Sequence, residues 1–342
     1  MKTGKLSNEQ LQKLVLDKLP ITSPSTMVGA SIGADCAWLN LGDKILVTSS
    51  DPITAGGLAS GTLAIHVSCN DIASCGIKPT GILIVIIAPP KATEEDLVMI
   101  VEQASTEAKR LGVDIVGGHT EISESVNTFV VISTAFGIID KSHPIPFGKA
   151  KPNDKLIITK SCGIEGSYIA AHEHKSKLEG KIDSSLIEEA LTYENLISVV
   201  DEGSIAGEII DKDFLKNPNG FYYGAVNLMH DITEGGVFGA AYEMATYSGT
   251  GLRIYKEQIP ISNATNAICN TLGLDPYRLI SSGSLLISTS EPERVLNKLS
   301  QKGIEATIIG EFTDAKDEYL LVDTNGDETL LDPPAADEIY KL

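Results

Sequence analysis

The sequence predicts an α+β protein built of two mixed α/β domains, on three observations. Its 342 residues exceed the ~100–200 that one domain ordinarily holds. Strand-like and helix-like runs mix in both halves without a regular βαβ alternation. A stretch with three prolines and little apolar periodicity, residues 141–152, separates those halves and places the domains at 1–150 and 151–342.

The elements follow in order. Residues 7–19 read as a helix, with Ser7 and Gln10 in a capping-box pattern and Leu11, Leu14, Val15 and Leu19 at helical spacing before Pro20. Residues 20–43 read as loop, 44–49 as a strand, and Ser50-Asp-Pro-Ile53 as a turn. Residues 57–76 suit a buried helix ended by Gly76 and Pro79. The apolar run Gly81–Ala88 suits a buried strand. A clear amphipathic helix spans 93–111, capped by Thr93 and closed by Gly112, with Leu97, Ile100, Val101, Ala104, Ala108 and Leu111 as its stripe. A strand at 113–116 runs into Gly117-Gly-His-Thr-Glu121, and 128–138 is another strand. The second half opens with a strand at 155–160 and a glycine turn, Gly163-Ile-Glu-Gly166. Helical patterns at 183–200 and 234–248 follow, then strand, helix and strand at 284–289, 291–302 and 305–311, and a last strand at 318–323.

Composition narrows the function. With 27 Lys+Arg against 46 Asp+Glu the formal net charge is −19, which argues against gripping nucleic acid or anionic lipid by bulk charge. The longest apolar run is far below the ~20 residues that span a bilayer, and the N-terminus has no signal-peptide apolar region. Cys36, Cys69, Cys75, Cys162 and Cys269 form no CxxC pair and no even disulfide set, so they read as reduced core thiols of a cytoplasmic protein. No Cys/His group has zinc-ligand spacing.

Five acids sit in apolar or glycine-rich surroundings rather than in solvated runs: Asp35, Asp51, Asp71, Glu121 and Asp231. Each alone suits a cap or turn residue. Together they point to a shared site, because isolated buried carboxylates are costly. Hard oxygen ligands select Mg²⁺ or Ca²⁺, and Mg²⁺ commonly bridges carboxylates to a nucleotide phosphate. Unaided, a carboxylate ~4 Å from a phosphate oxygen is repelled by about 4 kcal/mol at an effective dielectric near 20. The glycines beside the acids, Gly117 and Gly118 among them, let backbone amides approach phosphate. No GxxxxGK[ST] or GxGxxG loop is present.

In this order and spacing, six stretches resemble the aminoimidazole-ribonucleotide (AIR) synthase, or PurM-like, superfamily. They are Gly33-Ala-Asp-Cys-Ala37, Thr48-Ser-Ser-Asp51, Asn70–Pro79, Gly117–Glu121, Met229–Gly236 and Asp275–Gly283. The resemblance covers nearly the whole chain and is nearest to HypE-like hydrogenase maturation factors. It implies a PurM-like pair of domains, a homodimer joined through the N-terminal sheets, and ATP held in an interdomain cleft through Mg²⁺. By motif, Asp35, Asp51, Asp71 and Asp231 match the family's magnesium aspartates. Asn70 belongs to the Asn-Asp pair, and Ala34 replaces the first Asp of the usual Gly-Asp-Asp-Ala loop. His119 stands where kinase-like members carry an acid, which leaves Glu121 a weaker match to a ligand. His119 itself suits either a hydrogen bond to phosphate or substrate, or a structural role at a strand end. Lys160 and Arg278 are candidate anion contacts.

The implied reaction is ATP-dependent phosphorylation of an oxygen on a small-molecule, amide or protein-bound acceptor. HypE-like members act through a C-terminal cysteine that receives a carbamoyl group. Here the last cysteine is Cys269 and the sequence finishes Asp337-Glu-Ile-Tyr-Lys-Leu342, so that cyanide-forming step is not expected in its usual form. The N-terminal Cys/Sec–Lys pair of selenophosphate synthetases is also missing. The alternative is a non-catalytic Mg-ATP-binding dimer that acts as a partner or regulator. Loops 172–182 and 211–222, where acceptor contacts are expected, carry no motif.

Overall fold

The computed structural model describes residues 6, 8–32, 35–54, 59–140, 142–144, 148–217 and 220–342. The Ser7 cap, Gly33 and Ala34 lie outside the described residues. The chain divides into two compact units, residues 1–72 with 79–141 and residues 73–78 with 142–342.

In the first unit, α1 (Asn8–Leu14) is followed by a 3₁₀ turn at Leu16–Lys18, so the helix expected over 7–19 breaks at Val15. Leu14, Val15 and Leu19 are exposed, and a short helix without a packed face has little to hold it. Strands β1 (Thr26–Val28) and β2 (Ala37–Asn40) occupy the stretch expected as loop. Strand β3 (Lys44–Ile53) runs straight through the expected turn at 50–53. The cause is non-local: β6 (Val130–Asp140) pairs with it from Lys44↔Asp140 to Ile53↔Val131. The described pairing of β2 with β3 reaches only to Thr48, and Pro52 lies beyond it.

Helix α2 (Ser60–Ser74), strand β4 (Gly81–Ala88), helix α3 (Glu94–Leu111) and strand β5 (Asp114–Ile122) complete the unit. Helix α3 has the expected start and stop, a reciprocal Thr93–Asp96 capping box and a left-handed Gly112. The sheet runs β1-β2-β3-β6-β4-β5, antiparallel except for the β4–β5 pair. One face buries Ile45, Val47, Ser49, Ile82, Ile86, Val131, Ser133 and Ala135. The Ser68–Ser133 hydroxyl pair (2.6 Å) ties α2 to that face, and His66–Glu107 (2.9 Å) ties α2 to α3. Residues of the opposite face, such as Leu46, Val85, Ile87, Ile132 and Phe136, are only half-buried.

The second unit runs β7 (Lys155–Thr159), α4 (Ile164–Glu173), α5 (Lys175–Leu178), α6 (Ser184–Leu191) and α7 (Val200–Gly207). Next come β8 (Val226–Asp231), α8 (Gly236–Ser248), β9 (Gly251–Tyr255), α9 (Asn263–Leu272), β10 (Leu285–Thr289), α10 (Pro292–Ser300), β11 (Ala306–Thr313), β12 (Tyr319–Val322) and β13 (Glu328–Leu330). The helix expected over 183–200 splits around a 3₁₀ segment, Thr192–Leu196, and the turn at Gly163–Gly166 is the first turn of α4. The sheet order is β13-β12-β9-β11-β7-β10-β8. Its strands β7 and β10 are buried on both faces, which explains the apolar runs Leu156–Ile158 and Leu285–Ile287. The segment after Asp332 is also part of the fold. Asp337 and Glu338 are buried, and Ile339 and Leu342 pack against Cys269, Leu274 and Leu279.

Candidate functional site

In the first unit two of the predicted acids, Asp51 and Asp71, meet around a residue that the sequence reading passed over. Asp71 lies on α2, largely buried, and its Oδ2 accepts a 2.6 Å hydrogen bond from Ser49 Oγ on β3. The same hydroxyl is 3.4 Å from Asp51 Oδ2 and 3.0 Å from the backbone carbonyl of Asp35. Ser49 and Asp51 are two residues apart on a strand, so both face α2. The Asp71 backbone carbonyl also accepts from Cys36 Sγ at 3.3 Å. Ser49 thus draws the strand-end Asp51, the helix Asp71 and the loop bearing Asp35 into one locus. Asn70 is buried beside Asp71 in α2. Burial and the Asp71 charge push the neighbouring Cys69 thiol up to about 12, so it is not a nucleophile.

The Gly117–Glu121 motif is not a turn after a strand, as the sequence suggested, but part of the exposed edge strand β5. A register shift opposite Ile82/Leu83 brings Gly117 beside Leu83 and Gly118 beside Ile84. Gly118 has φ +154°, and a Cβ there would collide with the Ile84 carbonyl, which accounts for the second glycine. His119 and Glu121 share one face of the strand, with His119 Nε2 3.2 Å from Glu121 Oε2 and both side chains at least half exposed. A cavity of about 260 Å³ opens between α3 and the β4–β5 edge, lined by Ile84, Ile86, Ile100, Ala104, Gly117 and Gly118 among others. His119 borders it. The predicted acids do not.

In the second unit Asp231 ends β8, paired with Leu285 of β10, and is only 2% exposed. Its Oδ2 has no hydrogen-bond partner among the described residues. Buried Asp154 shows the contrast. Its Oδ2 accepts from the Lys151 amide, Asn227 Nδ2 and Ser288 Oγ, as a structural aspartate should. Asp231 Oδ2 is thus a buried acceptor that no described residue satisfies. Its neighbour His230 is 3.2 Å from Glu243. Past Asp231, Gly235 and Gly236 both take left-handed conformations as the chain enters α8.

The candidate anion contacts are committed elsewhere. Lys160 Nζ is 2.6 Å from Glu202 and donates to the carbonyls of Leu196 and Ser198. Arg278 donates to the Asp332 carbonyl and lies over the Phe238 ring. The sequence reading also missed Glu165, a buried acid in the first turn of α4 that accepts hydrogen bonds from Ser282. Burial raises its pKa first of all, the Ser282 bonds oppose that, and the nearby Asp337 and Glu234 charges add to it. Only its place in Gly163-Ile-Glu-Gly166, a charge between glycines and apolar residues, hinted at this.

The family model described as AIR synthase related protein, N-terminal domain, matches residues 33–139, and that of the C-terminal domain matches residues 151–323. A Methanocaldococcus jannaschii protein named as a hydrogenase expression/formation protein is 28% identical over 348 residues, covering 99% of this chain and 97% of that protein. A solved HypE–HypF complex superposes with a TM-score of 0.73 at 22% identity, over 95% of this chain and 99% of its counterpart. A HypE structure in complex with ATP superposes with a TM-score of 0.66 at 20% identity, over 98% and 97%.

Proposed function

The chain belongs to the AIR synthase related protein family, with the two-domain PurM-like α+β fold, and on that premise we propose a cytoplasmic, ATP-dependent enzyme of the HypE-like group. In this reading it uses Mg-ATP to phosphorylate, and so activate, an oxygen of an amide or other small or protein-bound acceptor. The observation that carries the reading is the gathering of Asp51 and Asp71 at the Ser49 hydroxyl, beside Asp35. The one hydroxyl proton goes to Asp71 at 2.6 Å, so the Asp51 carboxylate 3.4 Å away gains from a cation bound beside both. Their all-oxygen donor set fits magnesium, for which Asp35, Asp51 and Asp71 are the first unit's ligands. Asp231, with a buried unpartnered oxygen, is the second unit's, and exposed Glu121 is the weakest of the five. Bound magnesium supplies the positive charge that lets these acids face phosphate.

The residues of the chain do the positioning, which is most of what phosphoryl transfer asks of a protein. Ser49 orients Asp71, and Asn70 stands next to it in α2. His119, exposed on β5, is placed to hydrogen-bond phosphate or acceptor. The name of the M. jannaschii relative supports a link to hydrogenase maturation, and the HypE–HypF complex supports a protein partner. A homodimer through the first unit's sheet is supported by its half-buried second face and by exposed Ile115, Val116 and Ile122 on the edge strand. No helix among the described residues is long and apolar enough to cross a membrane.

Calorimetric titration of Mg-ATP tests the reading. Binding that disappears without Mg²⁺ and in Asp71→Asn is expected, and unchanged binding in that variant removes Asp71 from the site. Binding without ADP release across a panel of amide, carboxylate and carbamoyl acceptors would transfer the assignment to a non-catalytic nucleotide-binding dimer.

A further inference from the structure

Strand β8 passes into α8 through a turn that a second loop, 279–284, holds in place: the Ile232 N–H donates to the Ser284 carbonyl at 3.0 Å. That loop is itself gripped from α4. The Gly166 N–H donates to the Ile280 carbonyl (3.0 Å), the Ile164 N–H to Ser281 Oγ (3.3 Å), and Ser284 Oγ to the Ser161 carbonyl (2.6 Å). Glu165 is the side chain within this grip, accepting from both the backbone and the hydroxyl of Ser282. On its other side the loop is clipped by Asp337, whose carboxylate accepts from the Ile280 N–H (3.2 Å) and the Gly235 N–H (2.6 Å).

We propose that Glu165 is a positioning residue for Asp231, fixing the Ser281–Gly283 turn and, through the Ser284–Ile232 bond, the end of β8. Only the relevance of Asp231 to nucleotide rests on the function proposed above. Glu165 does this as an uncharged acid. It is buried, its Oε2 has no hydrogen-bond partner among the described residues, and the charges that bear on it, Asp337 and Glu234, are both acidic. An ionised carboxylate there would be a buried charge facing like charges, whereas the neutral acid leaves one polar atom unmet. Burial accordingly raises its pKa in the folded protein. Such a group binds its proton more tightly folded than unfolded, so stability falls as pH rises from the unfolded carboxylate range, ~4.3, toward the folded value.

Glutamine has the shape of the neutral acid and no proton to lose. The melting temperature of Glu165→Gln minus that of the parent should therefore increase as pH rises above the unfolded carboxylate range, ~4.3. A difference that stays constant with pH overturns the neutral state. Hydrogen exchange tests the positioning. Glu165→Gln should keep parental protection at the Ile232 amide, and Glu165→Ala should exchange there at least tenfold faster while Val295–Leu299 of α10 are unaffected. Unchanged protection of Ile232 in Glu165→Ala overturns it. If that variant does not fold, Ser282→Ala, which removes one of the two donors, gives the same readout. A parent protein that fails to bind Mg-ATP would sink the proposed function while leaving both readouts to decide the role of Glu165.

Discussion

Ser49 Oγ stands 2.6 Å from Asp71 Oδ2 and 3.4 Å from Asp51 Oδ2, so one strand hydroxyl joins the helix acid to the strand-end acid. A hydrogen bond to a charged group contributes about 1.5–3 kcal/mol, and losing it also frees Asp71 to reorient. Ser49→Ala is expected to lower the unfolding temperature and to weaken Mg-ATP binding severalfold. Asp71→Asn, which keeps the hydroxyl a partner, should lose binding with a smaller loss of stability. Thermal melts and calorimetry on the two variants separate orientation from charge, and equal affinities in both would contradict the assignment.

Acid sensitivity should report the His66–Glu107–Arg110 group that joins α2 to α3. The hydrogen bond from fully buried His66, and then that from Arg110, hold the Glu107 carboxyl down at about 2. A depressed carboxylate stabilises the fold above its unfolded pKa, ~4.3, and that contribution is lost as pH falls toward 2. Glu107→Gln is therefore expected to lower the melting temperature at pH 6 but hardly at all near pH 2. Melts across that range check it. A deficit independent of pH would mean that packing, not charge, is what Glu107 supplies.

Lys160 should matter for stability and not for nucleotide. Its ammonium is 2.6 Å from the buried Glu202 carboxylate, so Lys160→Met strands a charge in the interior, at a cost of about 3 kcal/mol or more. The expected result is a lower melting temperature with the Mg-ATP dissociation constant within twofold of the parent. A folded variant that cannot bind ATP would restore Lys160 to the anion-binding role its sequence position suggested.

The thiols give a fourth test. Cys36, Cys69, Cys162 and Cys269 are buried, and burial above all raises the pKa of the last three. Only Cys75 is partly exposed. Titration of the native protein with a disulfide reagent at pH 8 should show one fast thiol, which Cys75→Ser removes. Several fast thiols would contradict the packing of both units.

Helix α3 and strand β4 were legible to the residue because their signals are local. A Thr93–Asp96 box, an apolar stripe and a terminal glycine define the one, and eight consecutive apolar or small residues define the other. Strands β1, β2 and the second half of β3 were not legible. Three- and four-residue strands carry almost no pattern, and Ser50–Ile53 is extended because Val131–Thr134, some eighty residues later, pairs with it. The same division runs through the candidate site. Asp51, Asp71 and Asp231 stood out as acids in apolar and glycine-rich settings. Ser49, Glu165 and Asp337 did not, since each has meaning only through a partner distant in sequence.

The sequence by itself determined the α+β class, the family and the candidate acids, because composition, apolar period and motif spacing are properties of the chain. Tertiary structure alone decided which groups are bound and which are left wanting a partner. Lys160 is taken by Glu202, Gly118 admits no side chain against Ile84, Ser49 stands between Asp51 and Asp71, and Asp231 keeps a buried oxygen unmet by any described residue. The reason is physical: the cost of a buried polar atom depends on what stands within hydrogen-bonding distance of it, and folding brings that neighbour from anywhere in the chain.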